Sequence, residues 1–381
     1  MIVIAQFLGT SLWFAGNVVA PEISQLLNIP GILASITSVV QLGFILGTLT
    51  FAFFSIPDRF SPSSVFFFSA VLAASFNLLL MILPLNLPTV LLCRFMVGFF
   101  LAGIYPVGMK IASDYFQKGL GSALGYLVGA LVLGTAFPYL LKGLDVVFSW
   151  KLILWVTSGL ALIGGAIVGF FVPDGPFHHK NPKFDIRLIP TLAKVKALKS
   201  AASGYFGHMW ELYTFWAFVP VLVFFLRGEG EMKPADSLLS FFVIGIGAIS
   251  CAVGGKIAQR VGSRNVAAVA LAGSGICCML ILFASSIPTA AWLVLLLVWG
   301  LLITADSPQF STLVAQSVPA EYKGTALTLV NSIGFAISIL SIQLAQLLLQ
   351  WMSIDTVLSS LFMGPAVGLL LFRRYHRPVK V

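Results

Sequence analysis

Few residues of this chain can do chemistry, and the most telling lie in apolar surroundings. His208 and Glu211 stand three apart in Gly207-His208-Met209-Trp210-Glu211-Leu212-Tyr213-Thr214-Phe215-Trp216, a run apolar enough to cross a bilayer. Helical residues three apart share a face. A carboxylate beside an imidazole, shielded from water, is a pair that can hold and release a proton. Asp306 and Gln309 repeat that spacing in Ala305-Asp306-Ser307-Pro308-Gln309-Phe310-Ser311. There Pro308 would free a backbone carbonyl and bend a helix. Arg94, in Leu92-Cys93-Arg94-Phe95-Met96-Val97-Gly98, carries a planar fork suited to a carboxylate. It could hold an anionic solute or pair with an acid elsewhere. Charged groups in lipid are costly and by default mark a pathway or a proton relay. Glu211 is the first candidate for coupling, with Arg94, Asp306 and His208 beside it. Each also has a plainer reading as a polar contact between helices.

The elements that position these groups follow from composition. Of 381 residues 59% are hydrophobic and 9% charged, with mean hydropathy +1.01. Soluble domains carry about 25% charged residues, so a soluble enzyme is excluded. Cys93, Cys251, Cys277 and Cys278 lie in apolar runs without metal-site spacing, and they read as core. The opening Met1-Ile2-Val3-Ile4 lacks the basic start of a secretory signal, so the first run is expected to remain as a spanning helix.

A spanning helix needs roughly 20 apolar residues. Twelve such runs are expected: 2–23, 33–55, 64–83, 88–112, 119–141, 148–171, 201–226, 237–258, 265–286, 290–316, 322–350 and 354–373. The fold class is thus an all-α membrane protein. The long connection between the sixth and seventh runs divides it into a first bundle, 1–172, a linker, 173–200, and a second bundle, 201–381. Glu211 falls about ten residues into its helix, about 15 Å deep. With both termini inside, inner loops hold seventeen lysines and arginines and outer loops only Lys142, Lys151, Arg227 and Lys233. The net charge of +9 therefore tracks a cytoplasmic membrane face, and nucleic acid is not expected as a partner. Lys110, at an inner helix end, is expected to snorkel to water. In the linker, Ile186, Ile189, Leu192 and Val195 recur every three residues, compatible with a short amphipathic helix on the inner leaflet or with a solvated basic segment. His178-His179 in the same linker has no further ligand or acid nearby and reads as solvated loop.

The halves echo one another. Ile56-Pro57-Asp58-Arg59-Phe60-Ser61 aligns with Ala258-Gln259-Arg260-Val261-Gly262-Ser263, and Lys118-Gly119 with Lys323-Gly324. Over its whole length the chain resembles the major facilitator superfamily, whose signature is a Gly-x-x-x-Asp-Arg-x-Gly-Arg-Lys-like loop after the second helix. Here Asp58-Arg59 is kept, with Phe54 at the glycine and Ser61-Pro62-Ser63 for Gly-Arg-Lys; the second copy, Gly255 to Arg264, has Gln259 for the aspartate. The resemblance implies two pseudo-symmetric six-helix bundles and a conformational latch at Asp58, Arg59, Arg260 and Arg264. The Arg94 segment looks like the family's embedded arginine motif. The fifth helix, with Gly121, Gly125, Gly129 and Gly134, lacks the Gly-Pro-x-x-Gly-Gly of drug antiporters. Gly103 to Lys110 and Ala305 to Ser311 look like bacterial carriers grouped with nitrate and cyanate transporters, but the paired arginines of nitrate porters are absent.

The resemblance also implies that helices 1, 4, 7 and 10 face a central path, placing Glu211 across from Arg94 and near Asp306. Trp13, Asn17, Gln41, Tyr105, Tyr213, Gln309 and Asn331 are the expected cavity lining. Trp210, Trp216 and Trp299 are read as packing. No nucleophile–base grouping, metal cluster or nucleotide loop is present in the sequence, so neither an enzyme nor a cofactor is expected. The expected function is secondary active transport of a small polar organic solute, an anion or zwitterion, by alternating access with proton coupling. The alternatives are a proton-driven exporter of amphipathic compounds and a non-transporting receptor. The expected setting is a bacterial inner membrane, multi-pass, with cytoplasmic termini and a monomeric chain whose partners are solute, proton and lipid.

Overall fold

A backbone in lipid must satisfy its polar groups internally, and a chain of apolar runs this long does so as helices. The computed structural model describes residues 1–115, 120–144, 149–177, 184–228, 230 and 232–375, and every regular element among them is helical. Twelve are long and apolar enough to cross a membrane: α1 (Ile2–Leu27), α2 (Ile32–Arg59), α3 (Pro62–Ile82), α4 (Leu87–Tyr115), α5 (Ala123–Gly143), α6 (Trp150–Phe171), α7 (Lys196–Arg227), α8 (Pro234–Val261), α9 (Ser263–Ala284), α10 (Thr289–Gln316), α11 (Ala320–Leu348) and α12 (Ile354–Arg374). Their ends have chemical causes. Pro62 and Pro234 open α3 and α8, where a missing N–H is harmless. Asn86 caps α4 by accepting the Thr89 amide at 2.9 Å. Gly228, at φ +94°, stops α7.

These boundaries correct one expectation and bear on two readings left open. The seventh helix begins at Lys196, so Lys196 and Lys199 belong to it and not to the linker. The linker forms no continuous amphipathic helix. It makes a 3-10 turn over Ile186–Leu188, then one α turn over Ile189–Leu192. Pro190 explains the division, because it fits only the first turn of a new helix. Leu192 is buried while Ile186 is exposed. Lys118, Gly119, the segment from His178 and His179 through Lys183, Arg377 and Lys380 lie outside the described residues.

Helices α1–α6 pack chiefly on one another, as do α7–α12, and two seams join the sets: α2 against α11 and α5 against α8. The first seam is hydrogen-bonded. Ser338 donates to Gln41 Oε1 at 2.6 Å, and Gln343 Nε2 to Ser38 Oγ at 2.8 Å. In the second, backbones come close: a Cβ on Gly129 would stand 2.9 Å from the Ala248 carbonyl oxygen.

A tighter approach occurs inside each set, and it repeats. A Cβ on Gly98 of α4 would lie 1.9 Å from the Val40 carbonyl oxygen of α2, and one on Gly300 of α10 would lie 1.9 Å from that of Val243 of α8. Gly300 follows Gly98 by 202 residues, and Val243 follows Val40 by 203. This is the spacing that the paired loops led us to expect of a duplicated chain. Glycine allows these backbones to touch. Gly98→Ala must push α2 from α4, and the expected cost is about 1–3 kcal/mol. A thermal melt in detergent reads it, and an unchanged midpoint would contradict the contact.

Several helices are interrupted: α1 between Thr10 and Ala15, α2 between Phe53 and Ile56, α4 between Leu101 and Tyr105, α8 at Ile246, α10 at Asp306, and α12 by a 3-10 turn over Ser360–Phe362. The breaks in α1 and α10 lie beside the buried charges Arg94 and Asp306.

Candidate functional site

The break in α10 has a local cause. Pro308 cannot donate to the Thr304 carbonyl four residues back. That carbonyl instead faces Cys251 of α8, whose Sγ donates to it at 3.4 Å, while the Thr304 hydroxyl lies 2.8 Å from that of Ser250. Asp306 occupies the interruption between Thr289–Ala305 and Ser307–Gln316. Its Oδ1 stands 2.8 Å from His208 Nδ1, and both side chains are fully buried. The His208 ring lies between Tyr205 and Phe310, at centroid distances of 5.9 and 6.3 Å. Its Nε2 has no hydrogen-bond partner among the described residues. The acid and the imidazole thus face each other inside the protein, at the interruption of α10.

The expected pairing of His208 with Glu211 is therefore corrected: the partner of His208 is Asp306. Three residues leave the two side chains about 60° apart around the helix, so that His208 meets the α10 break while Glu211 reaches α9 and the first segment of α10. Glu211 is fully buried and held by three donors. Trp299 Nε1 reaches Oε1 at 2.5 Å, Cys278 Sγ reaches the same oxygen at 3.2 Å, and Ser274 Oγ reaches Oε2 at 2.9 Å. The Trp299 ring also packs on Phe215 at 4.1 Å. Trp299, expected only to pack, is thus a hydrogen-bond donor as well. Ser274 and Cys278 were missed, although their four-residue spacing puts both on one face of α9. The donor role of Trp299 was missed too, although a buried indole N–H usually finds an acceptor.

Arg94 is not brought to the acids. It is fully buried in the first set of helices, donating from Nη1 to Asn77 Oδ1 and from Nη2 to the Leu12 and Trp13 carbonyls, each at 2.9 Å. These carbonyls are available because α1 is interrupted there. Asn77 is tied on to Leu154, Thr157 and Ser158 of α6. Every hydrogen bond that Arg94 makes goes to a group of the first set of helices.

Four expected lining residues gather at the junction of the halves. Trp13 of α1 stacks on Tyr213 of α7 at 5.9 Å and on Phe335 of α11 at 5.8 Å, and Phe44 of α2 closes the group at 4.9 Å from Trp13. Asn17, one turn beyond Trp13, donates to Thr37 at 2.8 Å, and Gln41 bonds Ser338 of the other half. Gln309 is buried one turn past Asp306, while Tyr105 and Asn331 are half-buried on α4 and α11.

At the helix ends, Lys110 Nζ donates to Asp58 Oδ1 at 2.7 Å, with 9% and 15% of the two side chains exposed. Lys110 therefore folds back rather than snorkelling, because a carboxylate of its own half is in reach. The pair borders a cavity of about 180 Å³ that Thr48, Phe184 and Thr328 also line. Arg59 and Arg260 are exposed. Arg264 donates to the Phe372 carbonyl at 2.7 Å and to Ser200 at 3.2 Å, fastening α9 to α7 and α12 within the second half.

Two comparisons bear on this arrangement. The family model described as Major Facilitator Superfamily matches residues 2–342. A stretch of 141 residues, 36% of this chain, is 29% identical to a protein of Didymella fabae named "Ascochitine biosynthesis cluster MFS transporter". The match covers 26% of that protein, so the chain matches about a quarter of this relative's length.

Proposed function

The chain belongs to the Major Facilitator Superfamily, a family of secondary transporters and not of enzymes, and from that premise we propose proton-coupled transport of a small organic solute by alternating access. The proton is carried by His208 and Asp306. The observation behind this is their full burial, 2.8 Å apart, at a break in α10. Such a helix can bend at Asp306 without losing further backbone hydrogen bonds, so a proton on the pair and the angle of α10 are coupled. The two halves rock about the α2–α11 and α5–α8 seams. Both termini are cytoplasmic in this reading, on the strength of the seventeen-to-four distribution of basic residues. The latch role of Asp58, Arg59, Arg260 and Arg264 belongs to it too; the Asp58–Lys110 pair, which borders the cavity between α2, α4 and α11, supports it for Asp58, while Arg264 is bonded within its own half.

The solute is the point at which geometry favours a second reading over the sequence. An anion or zwitterion was expected because an arginine and acids would share the site, and both Arg94 terminal nitrogens are instead held by Asn77 and two carbonyls. The junction of the halves is instead aromatic and carboxamide-bearing. That favours an amphipathic organic compound, moved outward against entering protons. Proteoliposomes loaded with a pH-sensitive dye test the coupling: addition of solute should move protons, and solute flux without proton movement would sink the proposal.

Glu211 takes a different place. Its three donors hold α9 and α10 to α7, so it is proposed as a brace. Glu211→Gln should keep accumulation within about twofold while lowering stability by about 1–3 kcal/mol, the cost of leaving a buried donor without its acceptor. A well-folded Glu211→Gln protein that cannot accumulate solute would move the coupling site to Glu211.

A further inference from the structure

The junction between the halves holds more unmet hydrogen-bonding capacity than a finished core tolerates. Trp13, Trp216, Gln41, Asn17 and Tyr139 are each at most 3% exposed. Yet Trp13 Nε1, Trp216 Nε1, Gln41 Nε2, Asn17 Oδ1 and the Tyr139 hydroxyl all lack a hydrogen-bond partner among the described residues. Buried polar groups are ordinarily paired, and a cluster that is not needs a cause. These are neighbours. Trp13 stacks on Tyr213, Tyr213 lies 5.4 Å from Trp216, and Trp216 and Tyr139 flank Phe14 at 6.2 and 6.4 Å. Gln41 lies one turn before Phe44, and Asn17 one turn after Trp13.

The types of these groups and the shape around them describe a ligand. Two indole N–H groups and an amide nitrogen can only donate, so three of the five atoms ask for acceptors. Trp13 comes from the first half, Tyr213 and Phe335 from the second, and the planes of these two lie within 21° and 30° of that of Trp13. Rings so aligned across a parting junction are the walls of a slot for a flat ring. Two cations of the first half are held there, Arg94 by Asn77 and two carbonyls, Lys142 by Glu22 and the Val18 carbonyl. Arg94 Nε has no partner among the described residues, but it lies against Gly16 of α1, 2.5 Å from where a Cβ on that glycine would stand.

We propose that this junction is the solute site and that it takes an uncharged, flat aromatic compound bearing carbonyl-type acceptors, received by the Trp13 and Trp216 indoles and the Gln41 amide. The proposal rests on the transport reading and narrows its substrate class. In the arrangement seen here the protein's own rings fill the slot; in the loaded state the solute replaces contacts between the halves.

Binding to the purified full-length chain tests this without transport. Three probes are titrated by tryptophan fluorescence and thermal shift: coumarin, flat with a lactone carbonyl; naphthalene, flat with no acceptor; and cyclohexanecarboxamide, with an acceptor and no flat ring. Coumarin should bind at least about fivefold more tightly than either control, the worth of one neutral hydrogen bond. Trp13→Phe with Trp216→Phe keeps an aromatic ring at each position and removes both donors. It should weaken coumarin by about the same factor and leave naphthalene unchanged, with its melting curve as the check on folding. Equal binding of coumarin and naphthalene overturns the assignment, as does a folded double variant that binds coumarin normally, or no binding of coumarin. If coumarin binds as expected and no solute moves protons in liposomes, the coupling reading fails and the site stands. If protons move with a saturated, charged solute, the site fails and the coupling stands.

Discussion

Asp306→Asn, reconstituted in liposomes, should carry solute down its gradient and be unable to accumulate it. One proton per solute can sustain about a hundredfold gradient across two pH units, at 1.4 kcal/mol per tenfold. The variant should reach a ratio of about one. Asparagine matches aspartate in shape and keeps an oxygen beside His208 at the α10 break, so binding and rocking should persist. What is lost is a group that changes charge. Solute counterflow, which needs no proton, should stay within a few-fold of the parent. Accumulation on the scale of the parent would remove Asp306 from the coupling step. Loss of both accumulation and counterflow would make Asp306 a structural residue instead. His208→Gln serves as the partner measurement, expected to depress accumulation in the same direction because it deletes the base 2.8 Å away.

Arg94→Leu is expected to have the largest effect on stability. It removes three hydrogen bonds and leaves Asn77 Oδ1 and the Leu12 and Trp13 carbonyls facing an aliphatic chain. Each unsatisfied buried group costs about 1–3 kcal/mol, so three of them cost at least about 3 kcal/mol, read as a fall in melting temperature in detergent. Arg94→Lys keeps the charge and loses the fork, and should recover only part of it. Neither variant should alter the charge preference of the solute. A solute preference that changes with Arg94→Lys, in a protein melting near the parent, would restore Arg94 to the solute site.

The twelve spans were legible because each reads as a long apolar run bounded by prolines, glycines or charges. The duplication was legible at the loops after α2 and α8, and the structure adds a second trace of it in the matched contacts of Gly98 and Gly300. The partners of the buried charges were not legible. Helix spacing offers His208 only its neighbours on α7, whereas Asp306 arrives from nearly a hundred residues away because Pro308 interrupts α10. Arg94 reads as a functional charge by its cost in lipid. What meets that cost is a set of main-chain carbonyls released by a break in α1 that no proline marks. Asn77 was the available hint, a carboxamide in the middle of an apolar helix. The aromatic junction was half legible: Trp13, Asn17, Gln41 and Tyr213 were expected there, Phe44 and Phe335 were not, since a phenylalanine in a membrane helix says nothing about which way it faces.

The main-chain contacts at Gly98 and Gly300 bear on how such a protein can change over evolution. Where two backbones touch, no side chain is available to be exchanged, and a larger residue at either glycine forces the helices apart. Drift is barred from those two glycines, while Val40 and Val243 meet them through their carbonyls rather than their side chains. The rings and carboxamides at the junction carry no such constraint. On the proposed solute site, replacing Trp13, Phe44, Tyr213 or Phe335 would retune the cargo while the pairing of α2 with α4 and of α8 with α10 is inherited unchanged.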